Sequence, residues 1–280
     1  ARYHLQVSRR ADFAWPYRTG LDVITQNSTW RVPFTGIYSP GETYYWRLRS
    51  RDRLGVWGQW SEPQTFTWKG PRVPVNVRLE LEGQDGTLHW EPNPRGERPV
   101  RYAVFGSDEK GFTASRDPYT RYTVGQVPGN LIGETEGTSM AVIGPGLQGE
   151  SVNRVYYRVV AIDAAGIESG NSDHAEAPHP LIISEPVAVA TAGQEYRYEA
   201  RSLRSLGDVQ HRYEEPNNKF WDEEQNTFAL EEAPGWLTVD AAIGVLSGTP
   251  PAAGTFPVTL VVTNQHGGRA EQAFEVTVRP

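Results

Sequence analysis

Residues 45–61 read YWRLRSRDRLGVWGQWS, and residues 156–172 read YYRVVAIDAAGIESGNS. The two stretches align without gaps at an offset of 111 residues, and each contains Asp-x-x-Gly at the same place. Each copy begins with alternating side chains, which is typical of a β-strand with one buried face, and then turns at the glycine. The sequence therefore predicts a β-sandwich module that occurs twice.

The composition is that of a folded protein built from short strands. The chain has 280 residues, is 38% hydrophobic, and contains 28 glycines and 21 prolines. Its length suits two or three domains, and no apolar stripe repeats with the 3.6-residue period of a helix. Glycine and proline at this density favour turns between strands. We therefore expect an all-β protein made of tandem β-sandwiches.

Charge and cysteine content exclude several classes of function. The chain has 27 basic and 34 acidic residues, a net charge of −7, and no basic cluster suited to a phosphate backbone. We therefore expect no nucleic-acid partner. The absence of cysteine excludes disulfides, thiolate metal sites and a cysteine nucleophile. No apolar run approaches the roughly 20 residues of a transmembrane helix, so we expect no membrane span.

The cellular location is less tightly constrained. Secreted eukaryotic sandwiches often carry disulfides, so their absence favours a bacterial extracellular or periplasmic protein, and a cytosolic origin stays open. Residues 1–20 lack the apolar segment of a signal peptide. We expect any export signal to lie upstream.

The repeated stretch resembles the sixth strand of the fibronectin type III family, in which tyrosine and arginine lead to Asn/Asp-x-x-Gly. The resemblance implies Ig-like sandwiches that act as spacers or binding surfaces. We assign one module to residues 1–70 and a second to residues 71–180. Proline-rich linkers at 70–74 and 177–180 separate the modules and are expected to be stiff.

The last hundred residues carry a second resemblance. Residues 234–240 read PGWLTVD, residues 244–250 read GVLSGTP, and residues 254–260 read GTFPVTL. This pattern resembles the putative-Ig or dystroglycan-type cadherin-like family. It implies a third sandwich over residues 181–280, with an acidic insert at 201–232.

The first module is expected to be incomplete within this chain. Its alternating strand at 2–9 corresponds to residues 100–106 of the second module, where candidate strands at 75–82 and 86–91 come first. About 70 residues is short of the roughly 100 of such a sandwich. We therefore expect the first two strands to be missing and residue 1 to mark a fragment boundary.

Residues 57–61, WGQWS, are similar to the Trp-Ser box of cytokine receptors, with Gly58 in place of its first serine. Arg47, Arg49 and Arg51 occupy alternate positions of the preceding strand, so we expect them to stack with the two indoles, each contact contributing ~0.5–1 kcal/mol. We expect this ladder to stiffen the sandwich, and contact with a ligand is the alternative. The ladder residues are Arg47, Arg49, Trp57 and Trp60.

Aromatic side chains in turns and loops are candidates for stacking on sugar rings, and core packing is the alternative for each. A long polar connection over residues 107–137 carries some of them. The binding candidates are Trp15, Tyr119, Tyr122 and Trp221, with Tyr17 and Trp30 as further loop aromatics.

The acidic insert offers carboxylates that could hold Ca²⁺ or serve as a glycosidase acid and base. It lacks the spacing of a calcium loop, so we expect a solvated loop with Trp221 packed on the sandwich. The histidines lack metalloprotease spacing, and no nucleophile elbow, Walker loop or dinucleotide fingerprint occurs. We predict no catalytic residue, no metal and no cofactor. The acidic residues are Glu214, Glu215, Asp222, Glu223, Glu224, Glu231 and Glu232.

These observations favour a non-catalytic spacer or scaffold segment of a larger bacterial extracellular protein. The family resemblance implies upstream domains of the same protein as partners and a polysaccharide-active enzyme as the associated activity. A module that binds carbohydrate or a cell-surface protein is the alternative. An enzyme acting on glycosides is a third hypothesis, and it requires a cleft with paired titrating groups.

Overall fold

The computed structural model describes residues 2–14, 22–30, 38–121, 125–207 and 223–280. These residues form twenty β-strands and no helix, so the prediction of an all-β protein is confirmed. Among them, no helix has the length and hydrophobicity needed to cross a membrane. The chain forms two compact units: unit 1 is Ala1–Val75, Pro92–Tyr102 and Val160–Ser172, and unit 2 is Asn76–Glu91, Ala103–Val159 and Asp173–Pro280.

Unit 1 contains a four-stranded antiparallel sheet, the N-terminal sheet. One face carries a small core in which Val7, Tyr38 and Tyr44 are buried, and Trp46 and Phe66 pack against it. The described residues between 2 and 75 form this one sheet, in the order β2-β1-β3-β4. Its strands are β1 (Arg2–Ser8), β2 (Asp22–Thr25), β3 (Thr43–Arg51) and β4 (Gln64–Thr67).

The next strands form two sheets, which we call the middle sandwich. One sheet has the order β11-β6-β5 and the other β10-β7-β12-β13, and a separate hairpin pairs β8 with β9. The strands are β5 (Val75–Glu82), β6 (Asp85–Glu91), β7 (Arg101–Ser107), β8 (Tyr119–Arg121), β9 (Gly125–Val127), β10 (Leu131–Thr135), β11 (Ser139–Ile143), β12 (Tyr156–Ile162) and β13 (Ala175–Glu176).

The repeat at offset 111 extends to individual hydrogen bonds. The N–H of Gly55 donates to Asp52 O at 3.2 Å, and the N–H of Gly166 donates to Asp163 O at 3.0 Å. Both glycines have positive φ, +88° and +78°, which a residue with a Cβ rarely adopts. The N-terminal sheet and the second sheet of the middle sandwich also share one pattern of strand order, with β3 at the place of β12.

The C-terminal sandwich consists of two sheets around one core. One sheet has the order β14-β20-β19-β16, in which β14 runs parallel to β20, and the other has the order β15-β18-β17. Leu246 and Leu260, from opposite sheets, are completely buried in the shared core. The strands are β14 (Val189–Thr191), β15 (Tyr196–Glu199), β16 (Asn226–Glu232), β17 (Leu237–Val239), β18 (Val245–Gly248), β19 (Gly254–Asn264) and β20 (Arg269–Arg279).

The expectation of a solvated acidic loop over 201–232 is wrong for its described C-terminal part. Residues 226–232 form β16, which pairs antiparallel with β19. The strand forms because Phe228 and Leu230 alternate along it and face the core. Glu224, just before the strand, is only 3% exposed. Residues 208–222 lie outside the described part of the chain.

The packing at Gly248 gives a test of the C-terminal sandwich. A Cβ added to Gly248 would lie 1.9 Å from the carbonyl oxygen of Trp236, whereas one added to Gly235 would meet nothing within 4 Å. We expect Gly248→Ala to lower the free energy of unfolding by about 1–3 kcal/mol, because the backbone itself must move. Gly235→Ala is the control and should leave stability equal or slightly raised. Equal urea midpoints for both variants would contradict this packing.

Candidate functional site

The outer face of the N-terminal sheet carries a continuous stack of guanidinium groups and rings. The stack forms because arginines at alternate positions of β3 point to the same side. Arg47 Cζ lies 4.3 Å from the ring centre of Phe13 and 4.4 Å from that of Trp60. Arg49 Cζ lies 4.4 Å from the ring centre of Trp60 and 5.0 Å from that of Trp57. Arg51 Cζ lies 5.6 Å from the ring centre of Trp57. The structure thus brings together Arg47, Arg49, Arg51, Trp57 and Trp60 as expected, and Phe13 is a further member of the stack.

The neighbouring strand β1 fixes the arginines from the side. Gln6 is the cross-strand partner of Arg47, and its Oε1 accepts hydrogen bonds from Arg47 Nε at 2.9 Å and Nη2 at 2.7 Å. His4 is the partner of Arg49, whose Nε and Nη2 lie 3.2 and 3.0 Å from His4 Nδ1. The hydrogen bonds therefore fix the rotation of the Arg47 and Arg49 guanidinium planes, and the rings fix the spacing between those planes.

These contacts define the protonation of His4. A guanidinium can only donate, so His4 Nδ1 must be the acceptor of the bonds from Arg49. The other nitrogen, Nε2, then carries the proton and donates to a carboxylate oxygen of Asp22. His4 is thus held as the neutral Nε2–H tautomer, and its ring also lies 4.8 Å from that of Trp60.

The arginine row carries little compensating negative charge. Asp22 is bound through His4, and within the described residues no carboxylate forms a salt bridge with Arg47, Arg49 or Arg51. Burial lowers the pKa of Arg47, and the adjacent charge of Arg49 lowers it further. The three side chains remain partly exposed, so the row is a cationic surface and not a buried cluster.

The loop aromatics proposed as binding residues do not form a described site. Trp15, Tyr17, Tyr122 and Trp221 lie outside the described residues. Tyr119 lies in β8 and is half-buried, and burial raises the pKa of its hydroxyl. Trp30 packs against the small core of the N-terminal sheet. Their role in binding stays a prediction.

A second group of polar contacts lies inside unit 2, between the middle and C-terminal sandwiches, and centres on Glu224. One carboxylate oxygen accepts the N–H of Ser205 at 2.8 Å, and the other accepts from Asn264 Nδ2 at 3.1 Å and lies 2.6 Å from His179 Nδ1. The side chain is almost completely buried, so these partners replace the water that the charge has lost. We call this group the Glu224 junction.

His179 bridges two carboxylates in the junction. Its Nδ1 faces Glu224, and its Nε2 lies 3.0 Å from Glu176 of β13. Only the protonated ring can donate from both nitrogens, and the hydrogen bond to Glu224 raises the pKa of His179. Burial alone would raise the pKa of Glu224, but the hydrogen bonds from His179 and Ser205 outweigh it, so the pKa of Glu224 is lowered.

Backbone hydrogen bonds extend the junction to the β7–β8 connection. The N–H of Leu206 donates to Asp108 O at 2.8 Å, and the N–H of Lys110 donates to Gly207 O at 3.0 Å. Tyr156 Oη also lies 2.9 Å from Ser205 Oγ, and burial raises the pKa of Tyr156 to about 12. At a second point, Gln84 Nε2 donates to Ile182 O at 3.2 Å. The two sandwiches are therefore joined through main chain as well as side chains.

The sequence did not reveal the junction. Nothing in the local sequence separates Glu224 from the adjacent Glu223, which is partly exposed and pairs with Arg204. The sequence did contain a signal for His4 and Gln6, because they alternate along β1 as the arginines do along β3. In the described part of the chain, no group of three or more histidine, aspartate or glutamate residues is placed to hold a metal ion.

Comparison with known families identifies the C-terminal segment. Residues 179–279 match the family model described as "Putative Ig domain". The prediction of an Ig-like module in this part of the chain is therefore confirmed, while the two fibronectin type III-like copies stay a prediction. No curated protein matches the chain.

Several solved structures resemble the chain at low sequence identity. A putative alpha-galactosidase from Bacteroides fragilis is 16% identical over 36% of this chain and 17% of that chain, with a TM-score of 0.27. The Bacteroides ovatus mixed-linkage glucan utilization protein SGBP-B, in complex with a mixed-linkage heptasaccharide, is 12% identical over 99% of this chain and 60% of that chain, with a TM-score of 0.25. The human desmocollin-1 ectodomain is 12% identical over 85% of this chain and 47% of that chain, with a TM-score of 0.23. The chain spans less than two thirds of each.

The ladder generates a stability prediction. Trp60 contacts two guanidinium groups at 4.4 Å, so we expect Trp60→Ala to lower the free energy of unfolding of unit 1 by about 1–2 kcal/mol. Hydrogen exchange of the β1 and β3 amides measures this local effect. Leu54→Ala is the control, because Leu54 is 89% exposed, and should change nothing. Unchanged exchange in Trp60→Ala would show that the ladder does not stabilise the sheet.

The Glu224 junction generates a pH prediction. A raised pKa means that His179 contributes stability fully below its ordinary value of 6.5, and the contribution is lost as the pH rises through the raised pKa. A lowered pKa means that the contribution of Glu224 is present above its ordinary 4.5 and is lost as the pH falls through the lowered pKa. The pair therefore stabilises unit 2 most between these two ordinary values.

We expect His179→Gln to destabilise unit 2 by about 2 kcal/mol near pH 5.5, since it removes hydrogen bonds between charged groups, and by less near pH 9. Urea unfolding at both pH values measures the difference. His89→Gln is the control, because His89 pairs with the well-exposed Glu80. A cost for His179→Gln that grows with pH would contradict the assigned charges.

Proposed function

We propose that this chain is a non-catalytic spacer and scaffold segment of a larger bacterial extracellular protein. The observation that carries the proposal is the Glu224 junction, which joins two sandwiches through a buried charge network and backbone hydrogen bonds. A flexible tether between binding modules needs no such contacts, since a few polar linker residues suffice. A segment that must hold its neighbours at a fixed distance and angle does need them.

The linker geometry supports the same role. His179 and Pro180 belong to the connection between the sandwiches, and the carbonyl oxygen of His179 accepts a hydrogen bond from Asn264 Nδ2 at 3.3 Å. A Cβ added to Gly268 would lie 2.8 Å from Pro180 and 2.9 Å from that same carbonyl oxygen. The linker is thus packed against the β19–β20 turn and has little freedom to bend.

The proposal includes the type of protein to which the chain belongs. The match of residues 179–279 to an Ig-like family supports a structural module. The sequence resemblance to fibronectin type III and cadherin-like modules favours a secreted protein with further domains upstream, accessory to an enzyme that acts on polysaccharide. A hydrolysis panel on the purified chain tests the non-catalytic part, because release of reducing ends would show that the segment is itself an enzyme.

The scaffold role predicts a fixed distance, within unit 2, between its part of the middle sandwich and the C-terminal sandwich. Because the chain has no cysteine, two engineered cysteines give unique spin-label sites. Glu136 in the β10–β11 turn and Ala252 in the β18–β19 turn are both exposed. We expect a narrow distance distribution between labels at these sites by pulsed electron resonance.

Removal of the junction charge should broaden that distribution. Glu224→Ala leaves His179, Asn264 and the Ser205 N–H without their shared acceptor, so the sandwiches should sample more orientations. Glu223→Ala is the matched control, because it removes a neighbouring charge on the surface. A broad distribution in the unmodified chain would contradict the scaffold role.

A further inference from the structure

The two units carry opposite net charges. Unit 1 contains 14 lysine and arginine residues against 8 aspartate and glutamate residues, a net charge of +6. Unit 2 contains 13 basic and 26 acidic residues, a net charge of −13. The overall charge of −7 conceals this division. A local excess of positive charge on a protein that is acidic overall attracts anions to one region of its surface.

The arginine row on β3 is the ordered part of this positive charge. Arg47 and Arg49 each use Nε and Nη2 within the sheet, and Arg51 uses Nε to donate to Gly55 O at 2.7 Å. Each guanidinium therefore keeps N–H groups that bond to nothing in the described residues. Alternate residues of a strand are about 7 Å apart, so the three groups form a line about 13 Å long.

The arginine side chains of the row are held in place in the absence of a ligand. The rings of Phe13, Trp60 and Trp57 hold the guanidinium planes apart. Gln6 fixes the rotation of Arg47, His4 that of Arg49, and the carbonyl oxygen of Gly55 that of Arg51. A free arginine side chain loses considerable rotamer freedom when it binds, whereas these three have lost most of it on folding. A ligand with regularly spaced negative groups would meet preoriented donors.

We propose that the outer face of β3 binds a linear anionic polysaccharide through carboxylate or sulfate groups spaced along its chain. Duplex nucleic acid fits less well, because such binders commonly neutralise 6–10 phosphates over a broad footprint and this row offers three charges in a single line. Single-stranded nucleic acid depends on bases stacking on open aromatic faces, and arginines already cover the indole faces here. This role is independent of the spacer function in unit 2.

Fluorescence anisotropy with labelled heparin and labelled polygalacturonate tests the proposal on the full chain and separates sulfate from carboxylate recognition. We expect binding to at least one of them, with affinity that falls as salt rises. The slope of log K against log salt should be near −2, if each of three contacts contributes about 0.7 as on a flexible single strand. Unlabelled duplex DNA should compete poorly.

Charge-matched variants locate the site. Arg47→Gln, Arg49→Gln and Arg51→Gln combined should weaken binding about tenfold or more, because all three ionic contacts are lost. The control combines Arg78→Gln, Arg197→Gln and Arg269→Gln in unit 2, where each arginine is exposed and paired with a glutamate. It removes the same total charge and should leave binding unchanged.

The triple variant could lose binding because it misfolds, so Arg51→Gln is tested alone. This single variant should fold normally, because the guanidinium of Arg51 makes only one hydrogen bond and one ring contact within the described residues. It should weaken binding about threefold with an unchanged circular dichroism spectrum, since one of three contacts is lost. The proposal is overturned if neither polysaccharide binds at low salt, if the control variant weakens binding as much as the row variant does, or if duplex DNA competes as well as the polysaccharides.

Discussion

The buried carboxylate of Glu224 is the constraint on which the arrangement of unit 2 depends. An ionised carboxylate removed from water costs several kcal/mol unless charge and hydrogen bonds replace its hydration. Here the replacement comes from His179 in the linker, Ser205 after β15 and Asn264 at the end of β19. Because these groups are far apart in sequence, satisfying one charge fixes the positions of three segments at once. The backbone bonds between residues 108–110 and 206–207 lie directly after Ser205, one of these three groups.

Unit 1 differs from unit 2 in that the charges of its arginine row are partly exposed and not neutralised by a bound carboxylate within the described residues. The three arginines of the β3 row stay partly exposed, with aromatic rings between them and no carboxylate bound to them in the described part of the chain, so their charges are oriented but not cancelled. The charge pair of His179 and Glu224 contributes to holding the two sandwiches together, whereas a surface row with little compensating charge is available to a ligand. The chain thus combines an acidic unit with a cationic face, and the proposed functions of spacing and of polyanion binding fall on different units.

The sequence predicted the features that depend on local pattern. Alternation and the Asp-x-x-Gly turns at 52–55 and 163–166 placed strands β3 and β12, and the signature over 234–260 indicated the Ig-like module matched at 179–279. The arginines and indoles could be paired because strand periodicity fixes the side on which each lies. The role of Glu224 could not be predicted, because its partner His179 is 45 residues away and the same acidic composition fits a solvated loop. Burial is a property of tertiary packing that a run of glutamates does not encode.

We expect the junction to make the middle and C-terminal sandwiches one cooperative body. Native-state hydrogen exchange in increasing denaturant tests it most directly, because it reports the opening free energy of individual amides. The amides of Leu206, Lys110 and Ser205 donate across or within the junction. We expect them to merge with the amides of β6 and β19 into a single unfolding transition. Junction amides that exchange at a much lower free energy, followed by separate transitions for the two sandwiches, would contradict it.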